Sequence, residues 1–578
     1  MSGIDRRDFL LGAAGVVASA TTFLNGCKSP SKSSIQTKNN DEPAMSDGRP
    51  ALRAILTEAD GSPLDSERMR TLTSRDMQND PLPQSIVTAP GRARIALTRD
   101  EPMQLCIRLK VAGFGEVYCY ADNDGDGYSQ PAAIDFVHHA ALTRIRRVAD
   151  AWIELRRSGL QMNAAFEEHF DRAATAAGSP VGAYERLAHG LHAGEMLALA
   201  AARHRISRFA VPRRDFKFGI MANAAQENGT PYDLRLRELF NYATCSWYTW
   251  KPEASADSDP VDYARMDASI DWCLKRNIQP KTFGYLYMAR GATPEWIRPI
   301  ETSAPTSRGA EAGGADQIDT MPNREPSTQP RAFNPRWGYD RVKELYSRVI
   351  KQTLGRYNGK LLHAEIMNEA HDKANLWGLN HEQILDMARM ALAAAREGSP
   401  TIQRQMNHCC MWAEYGRRAN PDGSRRWSPW QFIKACLDHG VEYETIGLQL
   451  YYPQHDLFET DRMLDRFTQF NKPIQITECA TASQDGLDDK SMRPRVYAPG
   501  WHGPWTPALQ ADWAEGIYTL CYSKPTFASV GWWDFTDRPG HFWPFGGLLD
   551  AQLQPKEAYF RLQSLQKQWG VVPPTQSV

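Results

Sequence analysis

The chain has 578 residues, with 67 Lys and Arg against 68 Asp and Glu, a net charge of -1. That length exceeds what one hydrophobic core organises, so two or three domains are expected. The near-zero charge excludes the basic footprint of a nucleic-acid partner or of electrostatic attachment to an anionic membrane. Seventeen tryptophans are many, and flat apolar rings suit the faces of sugars as well as protein cores.

Arg6-Arg7-Asp8-Phe9-Leu10, followed by the apolar run Leu10 to Leu24, has the form of a twin-arginine export signal. The run is shorter than the ~20 residues a membrane span requires. It ends in Leu24-Asn25-Gly26-Cys27, which resembles a bacterial lipobox with Cys27 as the lipidated residue, although Asn25 is less usual there than Ala or Ser. Residues 1–27 are therefore expected to be a signal, and residues 28–49 a flexible tether. The expected location is the cell envelope, as a periplasmic or surface lipoprotein, or outside the cell if Cys27 is incidental. Contact with a membrane would come only through that lipid anchor. The nine other cysteines show neither a CxxC pair nor zinc spacing, and free, buried thiols are expected.

Residues 50–130 are expected to form a small β-rich domain, a β-sandwich whose short strands are punctuated by Gly and Pro. Leu105, Ile107, Leu109 and Val111 alternate with Cys106, Arg108 and Lys110, the period of a half-buried strand. Asp122, Asp124 and Asp126, spaced by two and followed by Gly127, resemble the opening of a calcium loop. Its closing glutamate is missing, because position 133 is Ala, and an acidic turn accounts for the same residues. Calcium is thus the single cofactor candidate. Residues 131–212 take a helical period: Leu142, Ile145, Val148, Trp152 and Leu155 form a stripe. The histidines of this region suggest no metal.

From residue 213 to 570, apolar strands alternate with amphipathic helices. Strands are expected at 216–221, 279–287, 361–367, 402–407, 443–450, 474–477 and 529–535, and helices at 339–357 and 381–396. This pattern predicts a (β/α)8 TIM barrel, with a long Pro/Ser/Gly-rich insert over 300–335.

Two of these strands end in glutamate. Glu365-Ile366-Met367-Asn368-Glu369-Ala370 delivers Glu369, and Pro473-Ile474-Gln475-Ile476-Thr477-Glu478 delivers Glu478. Carboxylates from the C-terminal ends of barrel strands are the pair that retaining glycoside hydrolysis requires, one protonated and one ionised. Asn368 beside Glu369 is an uncharged group able to bind a sugar 2-hydroxyl. No His/Asp/Glu cluster has the ligand spacing of a metal-dependent hydrolase.

On these segments the chain, over roughly 216–566, resembles glycoside hydrolase family 10, the endo-β-1,4-xylanases. The resemblance implies Glu369 as acid/base, Asn368 as the 2-hydroxyl ligand and Glu478 as nucleophile. Phe240-Asn241 before the second strand and Gly284 to Trp296 along the third extend it. So do Ile446-Gly447-Leu448-Gln449, and the C-terminal run of Trp533, Asp537, Trp543, Gln554-Pro555-Lys556 and Tyr559. It implies Gln449, Trp296, Trp533 and Trp543 as sugar-contacting residues.

The sequence also departs from the family. A run of Glu, Asn, Met, Lys and Trp that binds the glycone sugars in the family is replaced by Ser246, Trp247, Tyr248, Thr249, Trp250 and Lys251. Trp247 and Trp250 become candidate sugar platforms. The family His and Gln of the third strand become Arg290 and Ala292, and the His two residues after Gln449 becomes Tyr451. A tyrosine hydroxyl can give Glu478 the hydrogen bond that His would, and Arg290 would favour ionisation of a nearby carboxylate.

The expected function is retaining hydrolysis of a β-1,4-linked polysaccharide, xylan or a xylan-like glycan, with no nucleic-acid partner. The alternative is a surface carbohydrate-binding lipoprotein with a degenerate, non-catalytic or weakly catalytic barrel. The exact sugar, endo or exo action and the oligomeric state stay open.

Overall fold

A computed structural model describes residues 50–97, 101–175, 179–222, 229–245, 261–299, 337–371, 374–417, 420, 423–451, 453–571 and 573. The expected signal with Cys27, the tether, Trp247, Trp250 and the 300–335 insert lie outside the described residues. Two compact units are present: one runs to Ala201 and includes Gln454–Phe458, and the other comprises the rest. No helix among the described residues is long and apolar enough to cross a membrane.

The first unit is β-rich and then helical. β1 (Ala51–Ile55), β3 (Ile86–Ala89), β4 (Arg92–Ala96) and β7 (Ala133–Asp135) form one sheet in the order β3-β4-β1-β7. β2 (Thr73–Asp76), β5 (Met103–Val111) and β6 (Gly115–Ala121) form a second, in the order β2-β5-β6. β5 is buried on both sides, with Lys110 its one exposed residue. The alternation in its sequence had indicated a half-buried strand. Cys106 instead packs with Tyr118 and Tyr120, and Arg108 is neutralised by Glu116 at 3.7 Å.

Helix α1 (Ser66–Met69) precedes β2. α2 (Phe136–Arg157), α3 (Ala164–Thr175) and α4 (Pro180–Ser207) follow β7. The buried face of α2 is not the expected apolar stripe. It is lined by Phe136, Val137, Ala140, Ala141, Thr143, Arg144, Arg147 and Val148, while Leu142 and Ile145 are half-buried. Two arginines can lie inward because each has a carboxylate partner: Arg144 meets Asp456 at 2.6 Å and Arg147 meets Asp122 at 3.0 Å. Trp152 packs edge-on against Phe166 and Phe170 of α3.

Those arginines also decide the acidic turn. Residues 123–125 form a 3-10 turn, and the Asp122 carboxylate accepts from Arg146, Arg147 and Thr143. Burial alone would raise its pKa, but the two guanidinium charges and the hydrogen bonds hold it below the ordinary value. The Asp122 carboxylate is therefore engaged by two arginines, Arg146 at 2.7 Å and Arg147 at 3.0 Å. No group of three His, Cys, Asp or Glu side chains suited to a metal occurs among the described residues.

The second unit is a closed parallel barrel. Its strands are β8 (Lys217–Ala222), β9 (Tyr242–Cys245), β10 (Gln279–Thr282), β11 (Leu286–Tyr287), β12 (His363–Asn368), β13 (Gln403–His408), β14 (Thr445–Leu450), β15 (Ile474–Cys479) and β16 (Phe527–Trp532). β16 pairs with β8, and β10 pairs with β12, so the ring closes. β10 and β11 are two pieces of one third strand, giving eight staves of a (β/α)8 barrel. Helices α5 (Pro231–Leu239), α6 (Ala264–Leu274), α7 (Tyr339–Arg356), α8 (His381–Gly398), α9 (Pro429–Asp438), α10 (Leu457–Thr468), α11 (Pro507–Tyr522) and α12 (Glu557–Gln568) alternate with the strands.

Gly284 lies between β10 and β11, and its N–H donates to Glu365 Oε1 at 3.1 Å. A side chain at Gly284 would bring a Cβ within 2.6 Å of the Asn368 Cβ, so only glycine lets the third strand approach β12 here. The nine cysteines among the described residues are all free and buried.

Candidate active site

Parallel strands point alternate side chains into the barrel, and register irregularities change which residues do so. β12 slips against β13 between Glu365 and Met367, and β14 slips against β15 between Leu448 and Gln449. Both slips lie beside residues of the site. The chain then turns sharply at Glu369, whose φ is 52°. A non-glycine residue in that region stores strain of order 1–3 kcal/mol, a feature that clusters at functional sites.

Glu369 and Glu478 are 6% and 5% exposed, and Asn368 is fully buried. Gln449 Nε2 donates to Glu369 Oε1 at 2.9 Å and to Asn368 Oδ1 at 3.3 Å. Asn407 Nδ2 donates to Asn368 Oδ1 at 3.0 Å and to Glu478 Oε1 at 3.3 Å. The two carboxylates are thus joined by a continuous chain: Glu369, Gln449, Asn368, Asn407, Glu478. Asn368 Nδ2 is buried without a partner, which leaves a donor free for a ligand hydroxyl. Tyr451 donates to Glu478 Oε2 at 2.9 Å, as its position two residues after Gln449 implied.

Several functional neighbours were not legible in the sequence. Asn407 is placed by register, since it lies directly across from Asn368. Tyr287 donates to Glu369 Oε2 at 3.0 Å. Below the mouth, Lys281 bridges Glu365 Oε2 at 3.0 Å and Gln405 Oε1 at 2.7 Å, and Gln405 in turn reaches Gln475 at 2.8 Å. Glu365, the first glutamate of the β12 segment, is fully buried and is committed to this ion pair.

Burial is the main cause that lifts the Glu478 carboxyl well above the ordinary value. Glu365 and Glu369 lift it further, whereas the Tyr451 hydrogen bond and Lys281 pull it down. Burial, with Glu478 and Asp534 next, also raises the Tyr451 phenol. Tyr451 therefore stays protonated and keeps its donor role.

Aromatic rings surround the carboxylates. Phe283 lies 6.3 Å from Tyr287 and 5.6 Å from Trp533, and Phe542 lies 5.0 Å from Tyr451. Trp533 is half-buried and remains available as a platform. Trp543 is not: it is fully buried and stacks 6.4 Å from Tyr451, so it backs the wall instead of offering a sugar-facing surface. Trp296 is half-buried and packs on Trp337 at 5.1 Å. Arg290 is exposed.

No curated protein matches the chain by sequence. Among solved structures, xylanase 10B from Thermotoga petrophila RKU-1, in complex with xylobiose, is 17% identical with a TM-score of 0.43, covering 62% of this chain and 96% of that one. Native xylanase 10B from Thermotoga maritima is 16% identical with a TM-score of 0.43, covering 64% and 99%. Xylanase XynB from Paenibacillus barcinonensis, complexed with a conduramine derivative, is 17% identical with a TM-score of 0.42, covering 62% and 98%. Residues 209–565, more than half of the chain, match the model of glycosyl hydrolase family 10, so the chain belongs to that family and is a glycosyl hydrolase.

Proposed function

We propose that this protein is a retaining glycoside hydrolase acting on xylan or a xylan-like β-1,4-linked polysaccharide. The observation that carries the reading is the hydrogen-bond chain from Glu369 through Gln449, Asn368 and Asn407 to Glu478. It holds two buried carboxylates and one unpartnered amide donor in a single constellation.

Glu478 is the nucleophile: its oxygen bonds to the anomeric carbon as the bond from that carbon to the leaving oxygen breaks. Glu369 gives its proton to the leaving oxygen. In the second step Glu369 takes a proton from water, whose oxygen bonds to the anomeric carbon while the bond to Glu478 breaks. Asn368 Nδ2 donates to the 2-hydroxyl, a contact that strengthens as the ring becomes oxocarbenium-like. The substrate class draws on the xylanase names of the structural relatives and on the aromatic surface of Trp533. The twin-arginine run and Cys27 support export and a lipid anchor at the cell envelope.

Reducing-end release from xylan, mixed-linkage glucan, mannan and carboxymethylcellulose tests the reading, with Glu369→Ala and Glu478→Ala beside the parent. The proposal expects xylan hydrolysis that both substitutions abolish while polysaccharide binding is kept. Binding without turnover by the parent on any of the four would support the alternative, a carbohydrate-binding lipoprotein.

A further inference from the structure

β11 is only two residues long, and it pairs with the end of β12 so that Leu286 faces Met367 and Tyr287 faces Asn368. That register brings the half-buried Tyr287 beside the residue preceding Glu369. Its phenol donates to Glu369 Oε2 at 3.0 Å, while Gln449 Nε2 donates to Oε1 at 2.9 Å. The ring is steadied by Phe283 at 6.3 Å, edge to face, and the Tyr287 carbonyl accepts from Thr293 Oγ1 at 3.4 Å.

We propose that Tyr287 is a positioning residue that holds the Glu369 carboxyl for proton delivery to the leaving oxygen, an inference resting on the reading of Glu369 as acid/base. A carboxylate accepts from both donors at once. A carboxylic acid places a hydrogen on one oxygen and accepts less well there, so both donors favour the ionised form. In the first step Glu369 goes from acid to carboxylate as its proton moves to the leaving oxygen. The Tyr287 hydrogen bond therefore strengthens along that step and contributes differential stabilisation. In the second step Glu369 takes a proton from water, and the same bond gives no gain.

Other charged and titratable groups near Glu369 are Glu478 on β15 with Tyr451 upon it, and Glu365 on β12 with Lys281 of β10. His371 follows Glu369 on its own segment, and Arg290 lies exposed beyond β11. Tyr287→Phe changes none of them and retains the ring packed on Phe283.

The test is kcat/KM for the full chain and for Tyr287→Phe, on aryl β-xylobiosides with a good leaving group (dinitrophenol) and a poor one (phenol). On the phenyl glycoside, which needs the proton of Glu369, kcat/KM falls about tenfold, the loss of one hydrogen bond to a charged group. On the dinitrophenyl glycoside, which departs without a proton, it changes little. Phe283→Leu disturbs the packing but keeps the phenol, so it must not reproduce that leaving-group difference. Equal losses on both substrates, or no loss on the phenyl glycoside, overturn the proposal while leaving the assignment of Glu369 intact. A parent enzyme insensitive to Glu369→Gln on the phenyl glycoside overturns both.

Discussion

Tyr451 donates its phenolic hydrogen to Glu478 Oε2 at 2.9 Å, with both side chains buried. That bond favours the ionised form of Glu478, as do the charge of Lys281 and the hydrogen bond from Asn407 at 3.3 Å. Burial and the charges of Glu365 and Glu369 oppose them. A nucleophile must be ionised, so the balance sets the acidic limb of the reaction.

Tyr451→Phe removes the Tyr451 hydrogen bond to Glu478. The Glu478 carboxyl then climbs further, and activity is lost at a higher pH as the solution is acidified. A hydrogen bond to a charged group is worth about 1.5–3 kcal/mol, so kcat/KM near neutrality should fall about 10- to 100-fold. The pH–rate profile checks it: a loss of rate with an unmoved acidic limb would assign Tyr451 to packing alone.

Glu478→Gln should stabilise the barrel. The folded carboxyl titrates above its unfolded value, so its contribution is full below the unfolded pKa of about 4.3 and is lost as pH rises through the folded value. Near neutrality the buried carboxylate is a cost that an amide does not carry. Calorimetry at pH 7 to 8 should show a Tm higher by about 2–4 °C, with the difference vanishing near pH 4.

Asp122→Ala should destabilise the N-terminal unit, because it leaves Arg147, at 8% side-chain exposure, without its carboxylate. Breaking a buried pair from one side costs about 3–5 kcal/mol. The Asp122 pKa is lowered on folding, so its stabilisation is present above the unfolded value of about 3.9 and is lost as pH falls through the folded one. Melting curves with added calcium or with chelator should coincide, since the carboxylate is held by arginine.

Cys27→Ser should move the protein from the membrane fraction to the soluble one and abolish incorporation of labelled fatty acid. Retention at the membrane after the substitution would place the anchor elsewhere.

The barrel was legible because buried parallel strands carry apolar runs between amphipathic helices, and seven of its strand segments stand close to where periodicity put them. The split of the third strand was not, because the residue in its gap, Gly284, gives its N–H to Glu365, far away in the chain. Strand-end glutamates announce themselves through local context. Asn407 and Tyr287 do not: each becomes a neighbour of Asn368 only through strand register. The buried face of α2 was hidden because Arg144 and Arg147 are charged, and only their distant partners Asp456 and Asp122 make burial tolerable. Trp543 shows the converse, an aromatic residue in a site-like context whose ring is consumed by packing.

The most direct measurement of the central claim is covalent trapping. The full chain is incubated with a 2-deoxy-2-fluoro β-xylobioside carrying a dinitrophenyl leaving group, digested and mapped by mass spectrometry. Double displacement predicts time-dependent inactivation and one fluoroglycosyl adduct on Glu478. An adduct on another carboxylate, or turnover of natural xylo-oligosaccharides that releases the inverted anomer, would contradict it.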